Sequence, residues 1–470
     1  MKGDFTRITF DPTKHYTRVL EQQGRVQVDS DFNEMAYIHQ YFLRRLAADL
    51  IGPHGGPADS FKLDALKDNG KDVLLDFGIG SGHYYVDGIL CEGEEPVRYT
   101  TQDTFPLSDA AKLEKGKNYV AYLDVWERHI TEFEDEDENK IGIREVALRG
   151  PDTATRAKII SQIKAKELGS TKPDDLDPKT AKAYENFLKF LGDTALGSGL
   201  LRARAIKPES DDEPCLISPQ ARFRGAENQL YRVEIHHGGV AMPADLSNVK
   251  IDVNKIATFK WSRENGSVIF PISKVQGDIV ILKTLGRDSR FGLRPDDWVE
   301  IVDDDYALQN RAEPLLQVKD VNVDNESVTL KATPASPVGT DPSKHPLLRR
   351  WDQTGSDLER GVFVVEGSGD EDSSWITLED GVQIQFPPLP PVLATGAEPV
   401  PPYRTGDYWM IPARAATGDV EWPGPPGNPL PRLSYGVEHS YAPLAIVSIA
   451  GDGTVKVDKD LRRTITPVSS

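Results

Sequence analysis

The sequence predicts a mainly β protein of sandwich or distorted-barrel domains, with an N-terminal amphipathic helix and a helical insertion. Two observations carry this reading: many short strand-like runs separated by Gly, Asn, Asp and Pro clusters, and a helical period confined to the N-terminus and to residues 151–192. So many short strands argue against a parallel sheet with crossover helices.

Residues 1–60 read as an extended arm followed by an attachment and oligomerisation helix. Lys2 to Phe10 alternates loosely between polar and apolar, Asp11-Pro12 is a turn signal, and 19–28 contains the break Gln22-Gln23-Gly24. Asp31 and Glu34 have capping-box spacing, so the helix is expected to start there and run to about Leu50, ahead of Pro53. Met35, Ile38, Phe42, Leu46 and Leu50 follow at spacings of three, four, four and four, which places them on one face. Arg45 stands where a strict heptad needs an apolar residue, so the stripe drifts away from a coiled-coil seam. Two readings stay open for it: a face covering the chain's own sheet, or a face meeting a partner chain. Under the second, the assembly residues are Phe5, Tyr16, Met35, Ile38, Phe42 and Leu46.

Residues 61–150 read as a β-rich domain with strands at 73–77, 83–90, 119–126 and 141–148, the first two separated by the glycine-rich turn 78–82. Residues 151–213 read as the helical insertion. Its first helix carries Ile159, Ile160, Ile163 and Leu168; its second opens at Asp177-Pro178, presents Tyr184, Phe187, Leu188 and Leu191, and stops at Gly192. A second β-rich domain, 214–386, has strands at 231–236, 257–263, 267–272, 278–285, 298–302, 315–321, 327–332 and 361–366. Asn265-Gly266 and Asp380-Gly381 are two-residue hairpin signals, since these residues tolerate positive φ. Residues 387–470 comprise a proline-rich linker (387–402), a second proline-dense stretch (423–431) and a small β unit with strands at 407–413, 444–450 and 454–457.

A chain of 470 residues buries large cores without disulfides, and its two cysteines, Cys91 and Cys215, read as buried thiols of a protein folded in a reducing cytosol. There is neither a signal-peptide pattern nor an apolar run of the ~18 residues that crosses a bilayer, so membrane insertion is not expected. The balance of 55 basic against 74 acidic residues, a formal charge of -19, opposes binding to phosphate backbones; Arg202, Arg204, Arg222 and Arg224 are strand-spaced rather than clustered. The acidic run 132–138 reads as a solvated loop, with a calcium loop as the alternative.

Tests for chemistry return no catalytic, cofactor or metal assignment. Asp29-Ser30-Asp31 opens like an EF-hand loop, but Glu34 stands at the glycine position and Gln40 at the bidentate carboxylate. His236-His237 on a strand would point to opposite faces, which is wrong for joint ligation. No Cys-x-x-Cys or His-Glu-x-x-His occurs; 78–82 leads into a strand instead of a phosphate-binding helix, and no serine sits in a nucleophile elbow. Carboxylate pairs for glycoside hydrolysis are a matter of three-dimensional separation. Trp126, Trp261, Trp298 and Trp409 lie inside strand-like runs and read as core.

The run GDFTRITFDPTKHYTRVLEQQGRVQVDSDFNE resembles the N-terminus of a family associated with phage-tail-like contractile injection systems, and more distantly the start of phage baseplate and fibre proteins. HYYVDGILCEGEE (83–95), YLDVWERHIT (122–131), IREVALRGPDTATR (143–156), ENQLYRVEIHHGG (227–239), ATFKWSRENGSVIFPI (257–272) and GDYWMIPAR (406–414) resemble the same family. The resemblance implies a non-enzymatic structural component of such a particle, at the baseplate or a peripheral cage or fibre. Its implied partners are other copies of itself, as a trimer or in sixfold-compatible order, and baseplate, sheath or fibre proteins. It also implies assembly in the bacterial cytoplasm and release with the particle. The alternative is a surface-binding, carbohydrate-binding or carbohydrate-active module in residues 214–470, which requires an exposed aromatic groove with converging carboxylates.

Overall fold

The structure, a computed structural model, describes residues 1–135, 141–148, 152–177, 181–192, 197–206, 223–244, 252–286, 291–369, 374–389, 401–425 and 428–466. It is mainly β, and the chain falls into two compact units, each assembled from separated stretches. The helix unit comprises Thr9–His129, Arg156–Ala195 and Glu438–Ser470; the barrel unit comprises Met1–Ile8, Ile130–Thr155 and Leu196–Val437. Of the five segments expected from sequence, 214–386 alone lies whole within one unit.

In the helix unit, α1 (Asp29–Ile51) and α2 (Ala181–Leu191) accompany three sheets, the largest of which orders Val455–Asp460, Ser440–Ile449, Asn118–Ile130 and Arg156–Glu167. Asn118–Ile130 is apolar on both faces because both are covered: Ala121, Leu123 and Val125 enter the main core, while Val120 meets Phe187 of α2 and Leu461. The stripe of α2 is therefore a core face, and the helix stops at Gly192, whose N–H donates to the carbonyls of Leu188 and Lys189 at φ 87°. The expected start of α2 at Asp177-Pro178 falls partly outside the described residues.

Two expectations fail in this unit. Arg156–Glu167 is a strand, where a helix was predicted: Ile159, Ile160 and Ile163 fit both periods over so short a window, and a neighbour at the edge of Asn118–Ile130 decides for the β-branched conformation. The run 83–90 is a hairpin of Gly82–Val86 and Ile89–Gly93, turning at Asp87-Gly88 with φ 50° and 76°. A side chain at Gly88 would also strike the Arg44 carbonyl of α1, so a glycine is needed there twice over.

The barrel unit contains a sandwich and a barrel, the two architectures expected. One sheet orders Val362–Phe363, Thr258–Ser262, Gln229–His237, Tyr408–Arg414 and Asp419–Val420; its partner orders Ile376–Thr377, Val382–Gln385, Leu200–Ala205 and Arg432–Leu433. Val233, Phe259, Trp409 and Ile411 from the first meet Leu201, Ala203 and Ile384 from the second. Six strands close the barrel in the order Ile269–Gln276, Ile279–Leu282, Ser327–Leu330, Leu316–Asn322, Trp298–Val302 and Leu347–Trp351, around Val280, Ile301, Val318 and Leu348. The short α3 (Asp304–Leu308) follows Trp298–Val302 and is capped by the Asp303 carboxylate, which accepts the Tyr306 N–H.

Asn265-Gly266 makes the tight turn expected of it, with φ 51° and 68°, but no hairpin. Thr258–Ser262 pairs within the sandwich and Ile269–Gln276 within the barrel, so the turn hands the chain from one to the other. Asp380-Gly381 does join paired strands. Residues 141–148 form no strand: Ile141, Val146 and Leu148 are exposed. Trp126, Trp261, Trp298 and Trp409 are buried, as read from sequence. Cys91 is buried too, which pushes its thiol up to about 12, whereas Cys215, Arg222 and most of the two proline-rich stretches' centres lie outside the described residues.

Candidate assembly site

Strand alternation builds the cluster of the barrel unit. In Gln229–His237 the residues Tyr231, Val233 and Ile235 point into the sandwich core, so Arg232, Glu234 and His236 project from the opposite face. That face is covered as well, because the outer surface of the barrel lies against it and all three side chains are buried. Lys260, directly opposite Glu234 across the ladder, joins them, and Glu300 and Trp351 come from the barrel strands Trp298–Val302 and Leu347–Trp351. Lys260 Nζ lies 2.7 Å from both Glu300 oxygens and 3.5 Å from Glu234; Trp351 Nε1 donates to Glu300 at 2.9 Å, and the Tyr306 hydroxyl donates to the same carboxylate.

The first eight residues close this cluster. Lys2 Nζ sits 3.1 Å from Glu234, whose other oxygen takes Arg232 Nε at 2.6 Å. Asn265 Nδ2, from the turn, donates to the carbonyls of Gly3 at 2.8 Å and Met1 at 3.3 Å, and Arg232 also donates to Met1. Beyond, Phe5 and Ile8 pack on Leu230, Tyr408 and Met410, and Arg7 pairs with Glu421 at 2.9 Å while Arg414 donates to the Thr6 carbonyl. Burying so many charges is tolerable because each has a partner of opposite sign and further hydrogen bonds. Burial drives the Lys2 ammonium down to about 8, against the pull of Glu234. Burial would raise Glu300, but Lys260 and His236 beside it win and hold it at about 2. His236 is pushed down to about 3 by burial and by Lys260, so the imidazole is neutral with Nδ1 3.7 Å from Glu300.

A separate set of arm contacts lies in the helix unit and has the opposite character. Thr9 Oγ1 donates to Glu34 at 2.7 Å, Phe10 stacks on Tyr37 at 5.7 Å and approaches Tyr41 at 6.0 Å, and Asp11 caps a 3-10 turn at Pro12–Lys14. From His15 to Val28 there is no helix or strand, and Tyr16, Leu20, Val26 and Val28 are exposed, Val26 by 85%. α1 then begins at Asp29, two residues before the expected cap; Val28 caps it without a side-chain bond, and Glu34 is engaged by Thr9 instead of closing a capping box. Its docked side uses Tyr37, Tyr41 and Arg44, with Arg44 paired to Glu127 at 2.6 Å. Its outer side shows Phe32, Leu43, Leu46 and Leu50, all within about 60° on a helical projection, with Phe42 beside them.

The six residues singled out from sequence therefore divide. Tyr16, Phe42 and Leu46 are exposed, Met35 is half-buried, Ile38 is a core residue at 1% exposure, and Phe5 is held by its own barrel unit. Sequence reasoning missed the Arg232, Glu234, Lys260, Glu300 cluster, whose one signal was the alternation in Tyr-Arg-Val-Glu-Ile-His, indistinguishable from a solvent-facing pattern. It also missed Leu43, which lies off the predicted stripe. His236 and His237 do not point apart: their rings are 4.6 Å from each other because the ladder slips between Ile235 and His237.

Among the described residues no group of three or more His, Cys, Asp or Glu side chains is arranged to hold a metal ion, and no helix is long and apolar enough to cross a membrane. A family model described as a family of unknown function, DUF6519, matches residues 1–180 and 165–430, and the chain belongs to that family. Comparisons with curated proteins and with solved structures returned no match.

Proposed function

We propose that this member of DUF6519 is a structural subunit of a repeating particle, of the contractile injection or phage-tail-like kind, in which neighbouring copies cover the 16–28 arm and the outer side of α1. One observation carries the assembly reading. Nine large apolar side chains between Tyr16 and Leu50 are exposed on one continuous stretch of chain. Soluble monomers rarely expose contiguous apolar patches beyond a few hundred Å². A stretch of this kind is what a subunit interface leaves bare when the neighbour is removed. The choice of particle, and of baseplate, cage or fibre as its place, is supported by the resemblance of the segments quoted above. Repeated copies follow from the symmetry of such particles, a trimer or a sixfold-compatible ring.

The test has two arms. Purified chain, examined by sedimentation velocity over a range of concentrations, should form an oligomer that Leu43→Asp with Leu46→Asp dissociates without lowering thermal stability. Gentle lysis of native cells followed by sedimentation and mass spectrometry should recover the chain in fixed ratio to sheath or baseplate proteins. A monomer at every concentration defeats the assembly reading, and an oligomer that never travels with sheathed tubes defeats the choice of particle.

A further inference from the structure

Where the arm meets α1, the helix unit contains a cavity of about 340 Å³ lined by the rings of Phe10, Tyr16, Tyr41 and Phe42 and the carboxylates of Asp11 and Glu34, with Pro12 and His15 completing the wall. That volume is at the lower end of the roughly 300–1,000 Å³ typical of small-ligand sites. Its chemistry is selective. Ring faces carry negative quadrupole charge and attract cations within ~6 Å of the centroid, and a carboxylate at the same site adds a charge-assisted hydrogen bond. Two of the rings already draw cations from outside, Lys14 lying 5.8 Å over Tyr16 and Arg45 5.9 Å over Tyr41. Neither reaches Glu34: one of its oxygens takes the Thr9 hydroxyl, and among the described residues no cation pairs with it. A planar guanidinium suits the cavity best, because it stacks on a ring and donates to a carboxylate at once.

The same chain carries that group in excess nearby. Arg18 and Arg25 stand on the exposed arm, and among the described residues neither side chain makes an ion pair or hydrogen bond. In a protein of net charge -19, the exposed stretch 16–28 carries Arg18 and Arg25 against the single carboxylate Glu21, a local inversion of sign, matched by an aromatic cavity with two carboxylates at the arm's own base. We infer that the cavity bounded by Phe10, Tyr41, Phe42 and Glu34 receives Arg18 or Arg25 from the arm of a neighbouring copy, locking subunits head to tail. This rests on the assembly reading and specifies its contact. Because the arm of one copy enters the cavity of the next, the contact is heterologous, the kind that forms a ring when the rotation between copies closes.

A charge-exchange experiment with the full chain tests it by sedimentation velocity. Glu34→Arg reverses the cavity, and Arg18→Glu with Arg25→Glu reverses the arm; Thr9→Ala, which removes the Thr9 bond but keeps the carboxylate, controls for disturbance of the arm. Each charge-reversed variant alone should associate at least tenfold more weakly than the parent, Thr9→Ala should associate as the parent does, and an equimolar mixture of the two reversed variants should recover association. Matched thermal unfolding curves show that the variants are folded. If the parent associates and the reversed variants do so equally well, or the mixture fails to recover, the cavity is not the seat of the arm while the assembly reading stands. A parent that stays monomeric overturns both.

Discussion

Residues 1–8 and residues 16–28 are two parts of one arm with similar alternation, yet the first is clamped and the second is bare. Phe5 and Ile8 find Leu230, Tyr408 and Met410, and the backbone of Met1 and Gly3 is held by Asn265. Leu20, Val26 and Val28 have no such cover. The difference teaches that an extended arm is held by the polar contacts of its backbone as much as by its apolar side chains. Asn265 is placed to supply them because an Asn-Gly turn needs positive φ, which turns its amide back toward the arm.

The largest break in this comparison should come from the cluster under the clamped half. Glu300→Ala leaves Lys260 buried beside Trp351 without its nearest counter-charge, and should cost the barrel unit about 3–5 kcal/mol in denaturant unfolding. Ile38→Asp and Phe42→Asp split the stripe that the sequence presents as one. The first puts a charge into the core of the helix unit and should cost about 3 kcal/mol or more; the second should change stability by no more than about 0.5 kcal/mol while weakening association.

Acid titration sharpens the contrast, since the barrel unit that clamps residues 1–8 contains buried titrating groups. His236 is held near 3, below its unfolded value of 6.5, so the unfolded chain binds the extra proton and stability rises with pH across that window. Glu379, which pairs with Arg263 at 2.7 Å, is raised by burial from 4.5 to about 7; there the folded chain binds the extra proton and stability falls as pH rises. The two slopes oppose each other between 4.5 and 6.5. His236→Gln should therefore tilt the profile downward with rising pH, and Glu379→Gln upward, each by at most about 1.4 kcal/mol per pH unit, read from urea midpoints across that range. The smallest stability effect on the clamp should be Phe5→Ala, about 1–2 kcal/mol, visible as faster amide exchange over residues 2–8 with association unchanged. If Phe5→Ala abolishes association instead, the clamped half belongs to the interface too.

Much of the fold was legible in the sequence where local pattern and tertiary setting agree. Trp298–Val302, Ser327–Leu330 and the closing hairpin around residues 451–453 were placed within a few residues, because β-branched runs between strong turn signals admit one local conformation. Arg156–Glu167 was lost because three isoleucines in five positions satisfy either period until a neighbouring strand selects one. At the candidate site, the arm and its helix were read from residues 1–53, but which of their apolar side chains are covered was not.

Periodicity and turn chemistry act between near neighbours, and they were enough to read a β-rich chain with an extended N-terminal arm and one amphipathic N-terminal helix. Tertiary structure alone decided that Ile38 is core while Leu46 is surface, that Phe5 is clamped, and that Arg232, Glu234, Lys260 and Glu300 form a buried cluster. The physical reason is that a strand or helix specifies which side chains share a face, whereas burial and charge pairing depend on what the distant chain lays against that face.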